Sequence, residues 1–109
     1  MSHPRFTISH SASGHFTFHL TAANGAVILT SERYVSHHGA VSGVESVKRN
    51  APIDARYERR LSRREEPYFV LTATSGEVIG TSEMYSSTSA REEGIASVKH
   101  SAPIAATEG

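Results

Sequence analysis

The chain repeats itself at a constant spacing of 51 residues, without a gap, from Phe18 onward. Phe18-His-Leu-Thr-Ala-Ala-Asn-Gly-Ala-Val-Ile-Leu-Thr-Ser-Glu-Arg-Tyr34 lies over Phe69-Val-Leu-Thr-Ala-Thr-Ser-Gly-Glu-Val-Ile-Gly-Thr-Ser-Glu-Met-Tyr85. Gly43-Val-Glu-Ser-Val-Lys48 lies over Gly94-Ile-Ala-Ser-Val-Lys99, and Ala51-Pro-Ile53 over Ala102-Pro-Ile104. Between 18–53 and 69–104, 19 of 36 positions are identical, so one structural unit is used twice. A chain of 109 residues has room for one core, formed by both copies together. The sequence therefore reads as a single domain, 1–109, with repeat one at 5–55 and repeat two at 56–106.

Each unit opens with a short strand, Arg5 to Ile8 and Arg56 to Arg59, followed by a polar turn. Phe16, Phe18, Leu20 and Ala22 then share one face by the two-residue period, as do Phe69, Leu71 and Ala73. Asn24-Gly25 predicts a two-residue type I′ hairpin, a turn that needs positive φ at both central positions. Ser75-Gly76 keeps that signal in a weaker form. The third strands, 26–32 and 77–83, are rich in β-branched residues. After Tyr34 and Tyr85 the pattern turns helical, with Ala40, Val44 and Val47 on one stripe and Ile95, Val98 and Ala102 on its counterpart. Ser87 or Ser89 can cap the second helix. Ser89-Ala-Arg-Glu92 has capping-box spacing, and Glu92 and Glu93 suit the positive end of the dipole. Gly43 and Gly94, in mid-helix, predict a contact with the sheet too close for a Cβ. Pro52 and Pro103 end the helices. Each β-β-β-α unit would leave strand edges and apolar surface exposed if it stood alone. Two units merged edge to edge make an α+β sandwich: one mainly antiparallel sheet, both helices on one face, pseudo-twofold symmetric.

Phe-x-Leu-x-Ala-x-Asn-Gly, Ile-x-x-Ser-Glu-x-Tyr and Gly-Ile-x-Ser-Val-Lys resemble the YegP-like family of small, mostly bacterial proteins. The resemblance covers Phe6 to about Ile104. It implies tandem β(3)-α units in one sheet, with the strand after the first helix, here Arg56 to Arg59, exchanged between units. It brings no activity, substrate or cofactor. Ser75 stands where asparagine is usual, and Gly80 stands where repeat one has Leu29.

Thr30-Ser31-Glu32-x-Tyr34 and Thr81-Ser82-Glu83-x-Tyr85 carry hydroxyls, a carboxylate and a phenol in both halves. They read either as paired binding sites or, preferably, as structural corners whose Ser and Glu side chains bond turn backbone. Lys48 and Lys99 suit helix C-termini. Residues 48–66 hold seven Lys/Arg against four Asp/Glu in a chain of zero net charge. The bland reading is a solvated connection between repeats; the functional one is a phosphate-binding patch at Arg59, Arg60, Arg63 and Arg64. The sheet face without helices would carry Thr17, His19, Thr21, Tyr68, Val70 and Thr72, a surface for a protein or, with Tyr68 and the basic flanks, for single-stranded RNA.

The absence of cysteine excludes disulfides and thiol chemistry. No metal site is expected, since His15 and His19 would stand roughly 13 Å apart along a strand, and no cofactor motif occurs. Met1 to Arg5 has no apolar stretch behind it and no run reaches about 18 apolar residues. The expectation is a cytoplasmic, chiefly monomeric, non-enzymatic module that binds an unknown protein partner, with weak nucleic-acid binding through 56–64 and the open sheet face as the alternative.

Overall fold

Apolar alternation and β-branched runs produce seven strands and two helices in the computed structural model, which describes residues 3–109. Met1 and Ser2, part of the stretch read for a secretory signal, lie outside the described residues. The strands are β1 (Arg5–His10), β2 (Phe16–Thr21), β3 (Val27–Thr30), β4 (Tyr57–Leu61), β5 (Pro67–Thr72), β6 (Val78–Thr81) and β7 (Ala106–Glu108). Helix α1 (His37–Asn50) follows β3, and α2 (Thr88–Ser101) follows β6. All strands join one sheet in the order β4-β5-β6-β3-β2-β1-β7. The halves meet at β3 and β6, where Thr30 faces Thr81. β4, leaving α1, pairs with β5 of the second half; β7, leaving α2, returns to lie parallel to β1 of the first. That parallel pair makes the sheet mixed.

Phe6, Phe18, Leu20, Leu29, Phe69 and Leu71 bury one sheet face against Val44, Val47, Ile95 and Val98, in a single core that both helices cover. The expected stripes, Ala40/Val44/Val47 and Ile95/Val98/Ala102, are buried. Ser36 and Ser87 cap the helices, their Oγ atoms accepting from Gly39 N at 2.9 Å and Ala90 N at 3.0 Å. Ser87 is already extended at φ −153° and starts α2 at Thr88, so Ser89 lies inside the helix and its capping box does not form. For the same reason Glu92 and Glu93 fall beyond the first turn.

The hairpins correct the expected turn. Gly25 and Gly76 have positive φ, 89° and 90°, whereas Asn24 and Ser75 do not. Gly25 N donates to Ala22 O at 2.9 Å, and the β2–β3 register shifts beside Thr21. This is a turn closed by a glycine bulge, in which one left-handed residue suffices. Asn24 Oδ1 accepts from Ala26 N and Ser75 Oγ from Glu77 N, which explains why the two side chains interchange.

Gly43 and Gly94 are buried, and the group filling their space is a ring. A Cβ at Gly43 would lie 2.6 Å from Tyr34 Cζ, and one at Gly94 2.5 Å from Tyr85 Cζ, with each hydroxyl nearer still. Gly80 meets Leu29 in the same way: a Cβ there would lie 2.6 Å from Leu29 Cγ. Leu29 and Gly80 are the same position of the repeat, brought together at the pseudo-twofold axis. One leucine fills the space that symmetry would demand of two, so the halves have become complementary rather than identical.

Candidate interaction surfaces

The Thr-Ser-Glu-x-Tyr corners are built by strand endings. Ser31 Oγ accepts from Phe18 N at 2.8 Å and donates to Glu32 O at 2.7 Å. Ser82 does the same with Phe69 N at 3.0 Å and Glu83 O at 2.8 Å. Each hydroxyl thus replaces a ladder bond where the strand turns away, and both are buried. Tyr34 stacks on Phe18 at 6.1 Å and Tyr85 on Phe69 at 6.2 Å, each with its hydroxyl end in a glycine notch. Burial, with smaller repulsion from Glu77 and Glu32, pushes the Tyr34 phenol up; burial and then Glu83 do the same for Tyr85. The Glu32 and Glu83 side chains are exposed, and no pocket opens among the described residues. The corner serines are therefore committed to backbone, and the carboxylates point into solvent.

The basic segment divides between two sides of the sheet. Tyr57 is buried under α2's end of the core, and its hydroxyl donates to Ala51 O at 2.7 Å; burial raises its pKa. Arg59, on the same side, forks onto Glu92 of α2, with Nη2 2.8 Å from Oε1 and Nε 2.9 Å from Oε2. Asp54 stands 3.5 Å from Arg59 and 2.8 Å from Lys99. The hydrogen bond from Arg59 holds the Glu92 carboxyl below the usual carboxylate range, and the one from Lys99 does so for Asp54. Arg60 points to the open face, paired with Glu58 at 2.7 Å beside Tyr68. Among the described residues Arg63 and Arg64, in the turn after β4, have no ion-pair partner. Lys48 and Lys99 lie over the Phe6 and Tyr57 rings at 5.8 and 5.6 Å, equivalent positions of the two repeats, so each lysine also caps an aromatic face.

One register line crosses the open face of the whole sheet: Glu58, Val70, Thr81, Thr30, His19, Thr7 and Glu108. Val70 is 2% exposed although it lies outside the helix-covered core, so its neighbours on this face enclose it. His19 stands three strands from Tyr68 and two residues off its register line, roughly 16 Å at sheet spacing. The surface residues singled out in the sequence thus form no single cluster: Arg60 and Tyr68 adjoin, His19 is distant, Arg59 is on the helix side, and Arg63 and Arg64 are at the edge. Two features carried no sequence signal: the pairing of Arg59 with Glu92, 33 residues away, and the strand β7. Among the described residues no group of His, Asp or Glu is arranged to hold a metal ion, and no helix is long and apolar enough to cross a membrane.

Fold and surfaces define a class: a tandem β-β-β-α protein with one mixed seven-stranded sheet and two helices. Residues 11–58 and 62–108 each match the family described as Domain of unknown function (DUF1508). A UPF0339 protein of Bordetella pertussis is 55% identical over 98 residues, 89% of this chain and 88% of that one. The UPF0339 protein YegP of Yersinia pestis is 45% identical over 93 residues, 85% of this chain and 83% of that one. The solution structure of yegP from E. coli superposes with a TM-score of 0.91 at 39% identity, over 99% of this chain and 93% of that one. That of a Shewanella oneidensis UPF0339 protein gives 0.90 at 45%, over 99% and 91%. The chain belongs to this UPF0339, YegP-like family.

Proposed function

We propose that the protein is a non-catalytic, chiefly monomeric, cytoplasmic module that docks a partner protein on the open face of its sheet. The observation carrying this reading is the uncovered register line from Glu58 to Glu108. Both helices cover one face, and the other offers a row of mainly polar side chains, with Glu58 and Glu108 at its ends, across all seven strands. The Ser31 and Ser82 hydroxyls are spent on backbone bonds, which favours a binding role over chemistry at the corners. Affinity capture with three forms tests the reading. A partner retained by the parent and by Glu45→Arg/Ala96→Arg on exposed helix positions, but lost by Thr17→Arg/Tyr68→Arg, supports it. Loss with the helix variant alone refutes it.

The second reading, weak nucleic-acid binding, draws on Arg60 beside Tyr68 with Arg63 and Arg64 nearby. The pairing of Arg59 with Glu92 and of Arg60 with Glu58 leaves less free positive charge than the sequence suggests. Binding of a single-stranded oligonucleotide that weakens steeply with salt, and is lost in Arg60→Glu/Arg63→Glu/Arg64→Glu, would favour it. No binding at low salt would dismiss it.

A further inference from the structure

The two outer edges of the sheet are equivalent in the repeat, yet only one carries a further strand. Phe6, Ile8 and His10 of β1 correspond to Tyr57, Arg59 and Leu61 of β4. β7 lies parallel on β1, with Phe6 opposite Thr107, whereas no strand among the described residues lies on β4. We propose that the outer edge of β4 takes up an extended, acidic segment of a partner protein as an eighth strand, running parallel to β4.

The backbone is aimed for this. Ser82 N donates to Phe69 O at 2.9 Å, and Phe69 N donates to Ser82 Oγ, so Phe69 spends its groups away from its register partner Arg59. In an antiparallel ladder Arg59, Tyr57 and Leu61 therefore turn their own groups outward. Ser31 treats Phe18 the same way, and Ile8 and Phe6 accordingly face β7. The Tyr57 N–H is taken by Asp54 O, which leaves the Tyr57 carbonyl and both groups of Arg59 and Leu61. Such a row is a template for strand addition, and it is the means by which extended peptides gain main-chain affinity.

Charge selects the occupant. On the filled edge, Glu108 of β7 stands 3.9 Å from Arg5. A strand parallel to β4 would run its C-terminal end toward Arg63 and Arg64, which have no ion-pair partner among the described residues. Leu61, 58% exposed, adds an apolar contact at that end. The edge is distinct from the open face, so the two readings stand or fall separately.

The probe is a synthetic peptide copying residues 102–109 of this chain followed by three glutamates, titrated to millimolar concentration into the isotope-labelled full chain. The Arg59 and Leu61 amides should exchange rapidly in the free protein. With peptide they should shift and become protected, and the effect should fall several-fold in Arg63→Glu/Arg64→Glu or when salt is raised. Protection of these amides before addition, no change at them with peptide, or shifts indifferent to the arginine reversal would each overturn the proposal. Shifts confined to Tyr68, Val70 and His19 would likewise overturn it and would belong to the open face.

Discussion

Gly94→Ala is the perturbation that weighs helix propensity against packing most clearly. In an exposed helix interior the exchange stabilises by up to about 1 kcal/mol. Here the new Cβ would lie 2.5 Å from Tyr85 Cζ, roughly 1 Å inside ordinary carbon–carbon contact. The ring cannot retreat freely, since it stacks on Phe69 at an angle of 11°. Overpacking of this kind costs roughly 1–3 kcal/mol. The net expectation is a loss of about 1 kcal/mol, which lowers the melting temperature by roughly 4–8 °C in a domain of this size. Gly94→Val should cost about 2–3 kcal/mol, having more volume and a poorer propensity. Melting followed by circular dichroism, with urea titration for the free energies, gives both numbers. In a Tyr85→Phe background, which lacks the hydroxyl nearest the glycine, the cost of Gly94→Ala should shrink. A rise in melting temperature for Gly94→Ala would show that the tyrosine does not fill the notch.

Ser31→Ala and Ser82→Ala should each destabilise by about 1–3 kcal/mol in urea unfolding, because each leaves a buried strand amide, Phe18 N or Phe69 N, without its acceptor. Glu65→Gly should stabilise by up to about 1 kcal/mol: Glu65 holds φ 61° where the first repeat has Gly14 at φ 88°. For the Glu92 carboxyl, lowered by its bond to Arg59, stability is present above the unfolded pKa and is lost as pH falls through the depressed folded value. Because the pair is largely exposed, Glu92→Gln should remove no more than about 1 kcal/mol of acid sensitivity from melting curves recorded between pH 7 and 3.

The repeat made much of this legible. An offset of 51 residues yields two β-β-β-α units, and the apolar alternation in Phe16–Ala22 and Phe69–Ala73 places the core face. The glycines at 43 and 94 announced a close approach, but only the fold reveals that the approaching group is a tyrosine from the corner nine residues earlier in each repeat. The hairpin type is not legible in the dipeptide, because Asn-Gly also serves a glycine bulge, where the asparagine side chain bonds the backbone instead of taking positive φ itself. In the second helix, four successive hydroxyl residues, Ser86 to Ser89, offered several caps. Ser36 and Ser87 occupy the same repeat position, which selects Ser87. β7 is three residues with no periodicity, and only its place beside β1 makes it a strand. For the surfaces, residue type was legible and side was not: one residue's shift along β4 separates Arg59, on the helix side, from Arg60 on the open face.

The central claim is that the two halves form one sheet by complementarity at the axis, with Leu29 filling the place left by Gly80. A double-mutant cycle measures it directly. Gly80→Leu alone should drive two leucines into one space, and Leu29→Gly alone should open a cavity, each costing about 2 kcal/mol or more in urea unfolding. Carrying both changes exchanges the pair across the pseudo-twofold, so the double variant should recover most of the loss, with a coupling of about 2 kcal/mol between the sites. Losses that simply add, within about 0.5 kcal/mol, would mean that the two positions do not share one space and would contradict the joined-sheet architecture.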